Sequence, residues 1–212
     1  MKICFSAAQN MGKTTLINDF IKQWPMYKLA DNSYRDKLKE GKKINLNKEG
    51  DAESQTLIRD AFIDQAAKYS KDEFIVFDRC LFDNLSYSLW LNSQGKVSDD
   101  YIKEQIPIIR EAMKLYDIIF FIPILKNYNI PIVPSEDGTR DLDPMFREEI
   151  DTIMKSLEKQ YQKGIKTFFP ADDCPALIEL FGTREQRIEM AKLYLKEDGK
   201  VYGEEESLIK LA

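Results

Sequence analysis

The sequence has no histidine, and its three cysteines, Cys4, Cys80 and Cys174, lie far apart along the chain. Without histidine, the chain cannot form a Ser-His-Asp or Cys-His catalytic group, or a zinc site that uses imidazole ligands. A zinc site of cysteines alone would need more thiols, and no CxxC pair is present. An odd number of scattered thiols fits a reducing cytoplasm, which is therefore the expected location.

Long apolar runs and a surplus of basic charge are also lacking. The longest apolar run, 118–125, is too short to cross a bilayer, so no membrane association is expected. The formal net charge of −5 argues against binding of bulk nucleic acid, whose partners are basic. Ile, Leu, Val and Phe make up 58 of the 212 residues, enough for a sizeable core, and we expect a single domain over residues 1–212.

Apolar runs typical of buried strands alternate with segments of helical periodicity along the chain. This alternation predicts an α/β fold with a parallel sheet that is covered by helices on both faces. The expected strands are 2–8, 26–30, 73–78, 117–124 and 176–181, and the expected helices are 13–24, 52–69, 81–91, 98–115, 144–162 and 183–195. Since ligands bind at the carboxyl ends of parallel strands, we expect the site at the loops after Ala7, Asp78 and Ile124.

The segment from Ala7 to Thr14, AAQNMGKT, matches GxxxxGK[ST] except that Ala7 replaces the first glycine. It lies between an expected strand and an expected helix, the context in which backbone N–H groups cradle nucleotide phosphates. We expect Lys13 to neutralise the β- and γ-phosphates and the Thr14 hydroxyl to bind Mg²⁺. The predicted nucleotide-binding residues of this segment are Asn10, Met11, Gly12, Lys13, Thr14 and Thr15. Because alanine disfavours positive φ, Ala7 raises a question about the geometry with which the loop begins.

The third expected strand ends in Asp78-Arg79, so four apolar residues are followed by an acid, as in a Walker B segment. Asp78 can bind Mg²⁺ there or accept a proton from an acceptor hydroxyl. Arg79 suits an anionic or phosphorylated acceptor. The alternative is that Asp78 caps the following helix and Arg79 lies on the surface. We interpret Asp83, one turn further along, as an acid on the helix surface.

Arginine is scarce, with 8 residues against 23 lysines, and six of the eight lie in or beside the expected site loops. Arg140 lies in a long proline-containing loop, and Arg147 lies near the start of the next helix. Together they predict a lid over about 126–147 that closes on the transferred phosphoryl group. The alternative is that both arginines pair with nearby acidic residues on a solvated face.

Residues beside the remaining loops predict contacts to the nucleotide and the acceptor. Arg184 and Arg187 begin the last expected helix, where an arginine can stack on a base or close over phosphates, and Arg184 is the predicted contact. Asp31 and Arg35 follow the second expected strand, where an acceptor-binding loop would lie. Gln55 can hydrogen-bond the edge of a base. For each of these residues, an ordinary polar surface explains the sequence equally well.

These segments resemble the P-loop nucleoside/nucleotide kinase superfamily, and within it the NadR-kinase-like ATPase/kinase domains of bacteria and phages. The resemblance spans nearly the whole chain and lies in the segments AAQNMGKTTL, FIVFDRCLFDNLSY, YDIIFFIPI, EDGTRDLDPMFREEID and ELFGTREQRI. It implies a three-layer α/β P-loop kinase fold with a five-stranded parallel sheet and a lid. It also implies ATP with Mg²⁺ as the phosphoryl donor.

The resemblance assigns roles to the residues already singled out. The residues that it implies for phosphate, metal, acceptor and lid contacts are Lys13, Thr14, Asp78, Arg79, Arg140 and Arg147. The acceptor loop 31–35 departs from the family pattern, so the identity of the substrate stays open.

The leading hypothesis is a kinase that transfers the γ-phosphoryl group of ATP to a nucleoside or a nucleoside monophosphate of deoxynucleotide metabolism. A hydroxyl acceptor would use Asp78 as its base, whereas a phosphate acceptor would be held by Arg79, and Arg79 favours the monophosphate. Two alternatives stay open. One is a kinase for polynucleotide ends or modified bases in DNA, with 37–48 as its basic segment, and the other is a nucleotide-sensing ATPase module. A homodimer is compatible with the sequence, which does not define the oligomeric state.

Overall fold

The computed structural model describes residues 1–31, 44–70, 73–126, 130–134 and 141–202. Its sheet consists of β1 (Lys2–Ser6), β2 (Lys28–Leu29), β3 (Ile75–Asp78), β4 (Ile118–Phe121) and β5 (Ala176–Glu179). The spatial order is β2-β3-β1-β4-β5, and every neighbouring pair is parallel. The predicted α/β fold with a five-stranded parallel sheet is confirmed.

Six α-helices lie in the described part of the chain, with one or two of them after each strand. They are α1 (Lys13–Gln23), α2 (Ala52–Ala67), α3 (Leu81–Ser93), α4 (Asp99–Met113), α5 (Pro144–Gln162) and α6 (Arg184–Lys192). Local capping defines several of the starts, because the side chains of Asp51, Ser98, Asp143 and Thr183 each accept a hydrogen bond from a backbone N–H of the first turn. None of these helices has both the length and the apolar character that a bilayer span requires.

The first strand lies in the middle of the sheet, with β3 on one side and β4 on the other. All of its residues are buried, and Phe5 pairs in register with Asp78 on β3 and with Phe120 on β4. A strand that is covered on both faces has no solvated side, which explains why its three central residues, Ile3 to Phe5, are all apolar. The register places the end of β1 beside the end of β3, so the loops that follow the two strands emerge together.

Aromatic rings hold α1 against the sheet. The ring of Phe20 lies 5.2 Å from that of Phe5 and 4.6 Å from that of Trp24, and the ring of Phe5 lies 5.3 Å from that of Phe120. All four rings are buried. Ring pairs of this kind stabilise the contact beyond the apolar area they bury. The loop between β1 and α1 is therefore anchored at both ends by the core.

The segment after α6 packs back across the end of α1. Trp24 Nε1 donates a hydrogen bond to the carbonyl of Lys196 (2.7 Å), and the Tyr27 hydroxyl donates one to the carbonyl of Gly199 (2.6 Å). These carbonyls satisfy the polar atoms of two large, almost fully buried side chains. The sequence carried no signal for this contact, because its partners on the tail are backbone atoms.

Candidate active site

The loop between β1 and α1, residues 7–12, has the backbone geometry of a phosphate-binding loop. Gly12 precedes the first turn of α1 and has φ 73°, and Asn10 has φ 60°, so both lie in the left-handed region. Glycine adopts this conformation without strain. Ala7 does not lie in that region, so an alanine in place of the first glycine requires no unfavourable backbone conformation. The first N–H groups of α1 have no intrahelical partner and form an anion-binding terminus.

Lys13 and Asp78 meet at this terminus. Lys13 is buried, and its Nζ forms an ion pair with Oδ1 of Asp78, the last residue of β3. The side chain of Asp78 is 27% exposed, so its carboxylate stays accessible from the cleft. The structure thus brings together the residue predicted for the donor phosphates and the residue predicted for acceptor chemistry.

An open cleft with about 790 Å³ of empty space lies above the loop. Its described lining consists of Ala8, Gln9, Asn10, Met11, Gly12, Lys13, Thr14, Thr15, Asp78, Arg79, Ile130, Pro131 and Val133. The last three belong to a segment after β4 that is tied to the loop by a hydrogen bond from Val133 N to Asn10 Oδ1 (3.2 Å). The cleft therefore contains all six residues predicted to bind nucleotide in the phosphate loop.

Thr14 and Asp78, the predicted magnesium ligands, both line this cleft. Hydroxyl and carboxylate oxygens are the ligands that Mg²⁺ prefers, and waters and substrate phosphates usually complete its octahedron. The residues present therefore fit a magnesium ion that is bound together with nucleotide phosphates.

Arg79 lies between this cleft and a second, smaller pocket, and it lines both. Its φ of 81° is unusual for a residue with a side chain and turns the chain sharply at the end of β3. The guanidinium contacts Oδ1 of Asp83 (2.9 Å) and the carbonyl of Ala7 (3.3 Å), and it stacks 5.6 Å from the ring centre of Tyr87. The structure thus holds Arg79 in place, with its charge balanced by a carboxylate.

Our interpretation of Asp83 as a surface acid is wrong. Its side chain is only 2% exposed, and besides Arg79 its carboxylate accepts hydrogen bonds from Ser6 Oγ (2.5 Å) and Cys80 N (3.1 Å). The last contact is part of a capping box in which Cys80 and Asp83 close the first turn of α3. The sequence does contain a signal for this position, namely an acid three residues after the N-cap. That spacing directs the side chain back toward the end of the strand.

Cys4, Cys80 and Asp83 bring two sulfur atoms and a carboxylate oxygen within 4.8 Å of one another. Burial raises the pKa of the Cys4 thiol well above its usual value, so its sulfur stays protonated. A protonated thiol is a poor metal ligand and a poor nucleophile. The Asp83 carboxylate in this cluster is already bonded to Ser6, Arg79 and the Cys80 N–H, so we interpret the cluster as a hydrogen-bonded support beneath Arg79.

Replacing Asp83 by alanine should destabilise the protein strongly. Asp83→Ala leaves the largely buried Arg79 cation and two buried donors without their partner, which typically costs about 3–5 kcal/mol. Urea unfolding followed by circular dichroism measures the loss. Asp100→Ala, at an exposed ion pair on α4, is the control and should leave the midpoint almost unchanged. Equal midpoints for both variants would contradict the support role of Asp83.

The second pocket, with about 380 Å³ of empty space, lies on the other side of Arg79. Its described lining consists of Leu46, Asn47, Gln55, Ile58, Phe62, Arg79, Asp83, Asn84 and Tyr87. Four of these side chains are apolar or aromatic and the other five are polar or charged, a combination that suits small heteroaromatic ligands. Gln55, predicted to contact a base, is one of those polar groups, and we refer to this cavity as the acceptor pocket.

One wall of the acceptor pocket is tied to the start of α5. Lys48 follows the lining residues Leu46 and Asn47, and its Nζ pairs with Oδ2 of Asp143 at 2.5 Å. The hydrogen bond to Lys48 lowers the pKa of Asp143, and the same contact raises the pKa of Lys48. Lys48 is the last residue of the basic segment 37–48, which the sequence suggested for nucleic-acid binding, and here it forms an ion pair with Asp143. The other residues of that segment up to 43 lie outside the described residues.

Of the two predicted lid arginines, the structure describes one. Arg147 is buried in the first turn of α5 and donates a hydrogen bond to the carbonyl of Ile130 (2.9 Å), which lines the cleft. Arg147 thus supports the cleft wall from behind, and the described lining does not include it. Arg140 and most of the central part of the predicted lid lie outside the described residues.

The structure places Arg187, and not Arg184, against the phosphate loop. Arg187 is buried and donates to the carbonyl of Met11 (3.0 Å), and its Nη1 lies 3.8 Å from where a Cβ on Gly12 would stand. Arg184 is exposed and forms a two-bond ion pair with Asp19 on α1 (2.7 and 2.9 Å). The two arginines are three residues apart, so they share the face of α6 that turns toward α1, and the sequence does not show which of them reaches the phosphate loop.

Two alanine substitutions on α6 should separate these roles. Arg187→Ala should weaken ATP binding about 10-fold, because it removes a charge-assisted hydrogen bond to the loop backbone and a cation beside the phosphates. Arg184→Ala removes the same side chain from an exposed ion pair and should change the affinity less than twofold. Isothermal titration calorimetry measures both. The reverse order of effects would show that Arg184 is the nucleotide contact.

Of the two predicted acceptor residues after the second strand, the structure describes only Asp31. Asp31 is exposed, and its carboxylate pairs with Lys68 (2.8 Å) and accepts a hydrogen bond from the Tyr69 hydroxyl. These contacts hold the pKa of Asp31 below its usual value. Asp31 is not part of the described pocket lining, and Arg35 lies outside the described residues.

A family model described as an AAA domain matches residues 2–165 of the chain. A comparison of the chain with curated protein sequences found no match.

Several solved structures share the fold. A NadR protein in complex with NAD and AMP-PNP has a TM-score of 0.59 at 13% identity over 95% of this chain, which spans only 51% of the NadR chain. Deoxyadenosine kinase from M. mycoides has a TM-score of 0.57 at 17% identity, with 91% of this chain and 98% of that chain covered. Thymidylate kinase from Candida albicans has a TM-score of 0.57 at 14% identity, with 91% and 89% covered. At such identities the likeness establishes the fold, so the predicted P-loop kinase fold is confirmed.

Proposed function

We propose that this chain, which belongs to the AAA domain family, transfers the γ-phosphoryl group of ATP to a nucleoside or a nucleoside monophosphate. One observation carries the proposal. Arg79 lines both the cleft above the phosphate loop and the acceptor pocket, and Asp78 stands next to it. A nucleotide with its phosphates on the loop and a second ligand in the acceptor pocket would therefore meet at Asp78 and Arg79.

The donor half of the reaction rests on positioning and charge. The start of α1 and Lys13 would hold the β- and γ-phosphates, and Thr14 and Asp78 would hold Mg²⁺. The metal ion would neutralise the charge that develops on the phosphate oxygens. Arg187 would keep the loop backbone in place through Met11.

The ion pair between Lys13 and Asp78 couples the donor site to the acceptor site. Nucleotide phosphates would compete with the Asp78 carboxylate for the Lys13 ammonium, so donor binding would release Asp78. With a hydroxyl acceptor, the acceptor oxygen forms a bond to the γ-phosphorus as the bond to the β,γ-bridging oxygen breaks. Asp78 accepts the hydroxyl proton, and ADP is the leaving group.

The charges in the described lining of the acceptor pocket favour a hydroxyl acceptor over a phosphate. Arg79 is the one cation in the described lining, and Asp83 balances it at 2.9 Å. A nucleoside monophosphate would add a dianion next to this carboxylate, whereas a neutral nucleoside would not. We therefore favour the nucleoside, and the monophosphate that Arg79 suggested in the sequence becomes the second candidate.

A coupled ADP-release screen tests the proposal. Purified protein would be incubated with ATP and each common nucleoside and nucleoside monophosphate, with and without Mg²⁺, and products would be identified by mass spectrometry. We expect Mg²⁺-dependent ADP release that one or a few nucleosides stimulate, with formation of the phosphorylated nucleoside. Slow hydrolysis that no acceptor stimulates would refute the proposal in favour of a nucleotide-sensing module. Phosphorylation of DNA ends alone would refute it in favour of a polynucleotide kinase.

A further inference from the structure

Asn84 on α3 makes hydrogen bonds that define the direction of its own side-chain amide. Its Nδ2 lies 3.0 Å from the backbone carbonyl oxygen of Gln55 on α2. A carbonyl oxygen can only accept a hydrogen bond, so the group of Asn84 that faces it must be the amide nitrogen. The orientation of Asn84 therefore follows from a backbone atom whose identity is unambiguous.

The orientation of Asn84 in turn defines that of Gln55. The Asn84 amide nitrogen lies 2.9 Å from one end of the Gln55 carboxamide, and since this nitrogen donates, that end must be Oε1. Ser88 Oγ, one turn along α3, lies 3.5 Å from the same oxygen. The acceptor end of Gln55 is thus occupied by the protein.

The donor end of Gln55 is left for a ligand. Gln55 is 2% exposed and lines the acceptor pocket, and its Nε2 makes no hydrogen bond to any residue in the described part of the chain. Nε2 is not among the fully buried polar atoms that lack a partner, so solvent in the pocket reaches it, and a ligand that displaces this solvent must present an acceptor or leave the donor unpaired. At this point the pocket therefore prefers a ligand atom that accepts a hydrogen bond.

We propose that Asn84 is a positioning residue that orients the Gln55 carboxamide, so that Nε2 selects acceptor substrates whose ring presents a hydrogen-bond acceptor. This selection rests on the proposed function, because it requires that the ring of the acceptor substrate binds in the acceptor pocket. Asn84 itself contacts Gln55 through both amide hydrogens and acts only through it. Rings of the same shape that lack the acceptor atom should be rejected, since they leave the donor unpaired.

Base analogues that lack acceptor atoms but keep the shape of the ring test this selection. The probes are the four natural deoxynucleosides, thymidine with both carbonyl groups replaced by C–F, and deoxyadenosine with one ring nitrogen at a time replaced by C–H. Binding is measured by titration calorimetry to the protein in the presence of a nonhydrolysable ATP analogue. For wild-type protein we expect at least one replacement to weaken binding about 10-fold or more, which is the effect of leaving a buried donor unpaired.

Three variants then identify the groups responsible. In Gln55→Leu and Asn84→Leu, the ratio of affinities between the natural ligand and its analogue should fall below threefold. Asn92→Leu is the matched control, because Asn92 lies on the same helix and also donates from Nδ2 to a backbone carbonyl, that of Val97 (3.1 Å), away from the pocket. It should preserve the wild-type ratio. In turnover, Asn84→Leu should raise KM while kcat stays within threefold, because Asn84 touches no reacting atom.

The outcomes separate the inference from the proposed function. If Asn84→Leu weakens all probes equally and the ratio persists, Asn84 is only structural and the inference is wrong, although phosphoryl transfer would stand. If wild-type protein does not distinguish any analogue from its parent, the role of Gln55 is wrong as well. If no nucleoside binds while the ATP analogue does, the proposed function fails and the inference fails with it.

Discussion

Lys13→Ala should abolish phosphoryl transfer while leaving the fold intact. The variant removes the only side-chain cation that the phosphate loop itself contributes to the cleft, in a position where preorganised charge stabilises the transferring phosphoryl group. A fall in kcat/KM of about 100-fold or more is expected from the loss of one such group. The coupled ADP-release assay measures the rate, and circular dichroism with thermal unfolding tests the fold.

Lys22→Ala provides the control for this variant. Lys22 lies in the last turn of the same helix and is exposed, so its loss should leave the rate unchanged. Normal turnover in a correctly folded Lys13→Ala protein would remove the donor site from the phosphate loop. A collapse of the fold in Lys13→Ala would instead indicate that Asp78 depends on its partner for stability, and Lys13→Met, which keeps most of the aliphatic stem, would then separate charge from packing.

Asp78→Asn should impair transfer severely, mainly in kcat. The amide keeps the size of the carboxylate but cannot accept the acceptor proton and is a much weaker ligand for Mg²⁺. Loss of a general base typically lowers the rate about 100-fold to 10,000-fold. The measurement is kcat and KM with the best nucleoside from the screen, at saturating ATP and Mg²⁺.

The matched control for Asp78→Asn is Asp100→Asn, which makes the same chemical change at an exposed position on α4. It should leave both kinetic constants within experimental error of wild type. An almost unchanged kcat in Asp78→Asn would remove Asp78 from the catalytic residues. It would also favour a phosphate acceptor, for which a strong base is not required.

The elements that frame the site were predictable because their signals are local. The apolar residues before GKTT and those before Asp78 each predict a buried parallel strand. Neither prediction needs information from the rest of the chain. The fifth helix was predicted with its observed bounds, Pro144–Gln162, since Asp143 caps it and proline at its first position fits the helix without loss of a hydrogen bond.

The contacts within the site were harder to predict, because they depend on which face of each helix turns inward. Asp83 and Asp100 are both acids near the start of a helix, yet one is buried under Arg79 and the other is exposed. Arg184 and Arg187 differ in the same way. The pairing of Gln55 with Asn84 joins two helices, and nothing in either segment alone specifies it.

Titration of ATP into the protein by calorimetry, with and without Mg²⁺, shows whether the loop between β1 and α1 binds a triphosphate. We expect saturable binding of one ATP per chain that strengthens when Mg²⁺ is present and weakens in the Lys13→Ala variant. If wild-type protein produced no binding heat with ATP and Mg²⁺ over a range of temperatures, the loop between β1 and α1 would not be a triphosphate site, and the proposed phosphoryl transfer would be wrong.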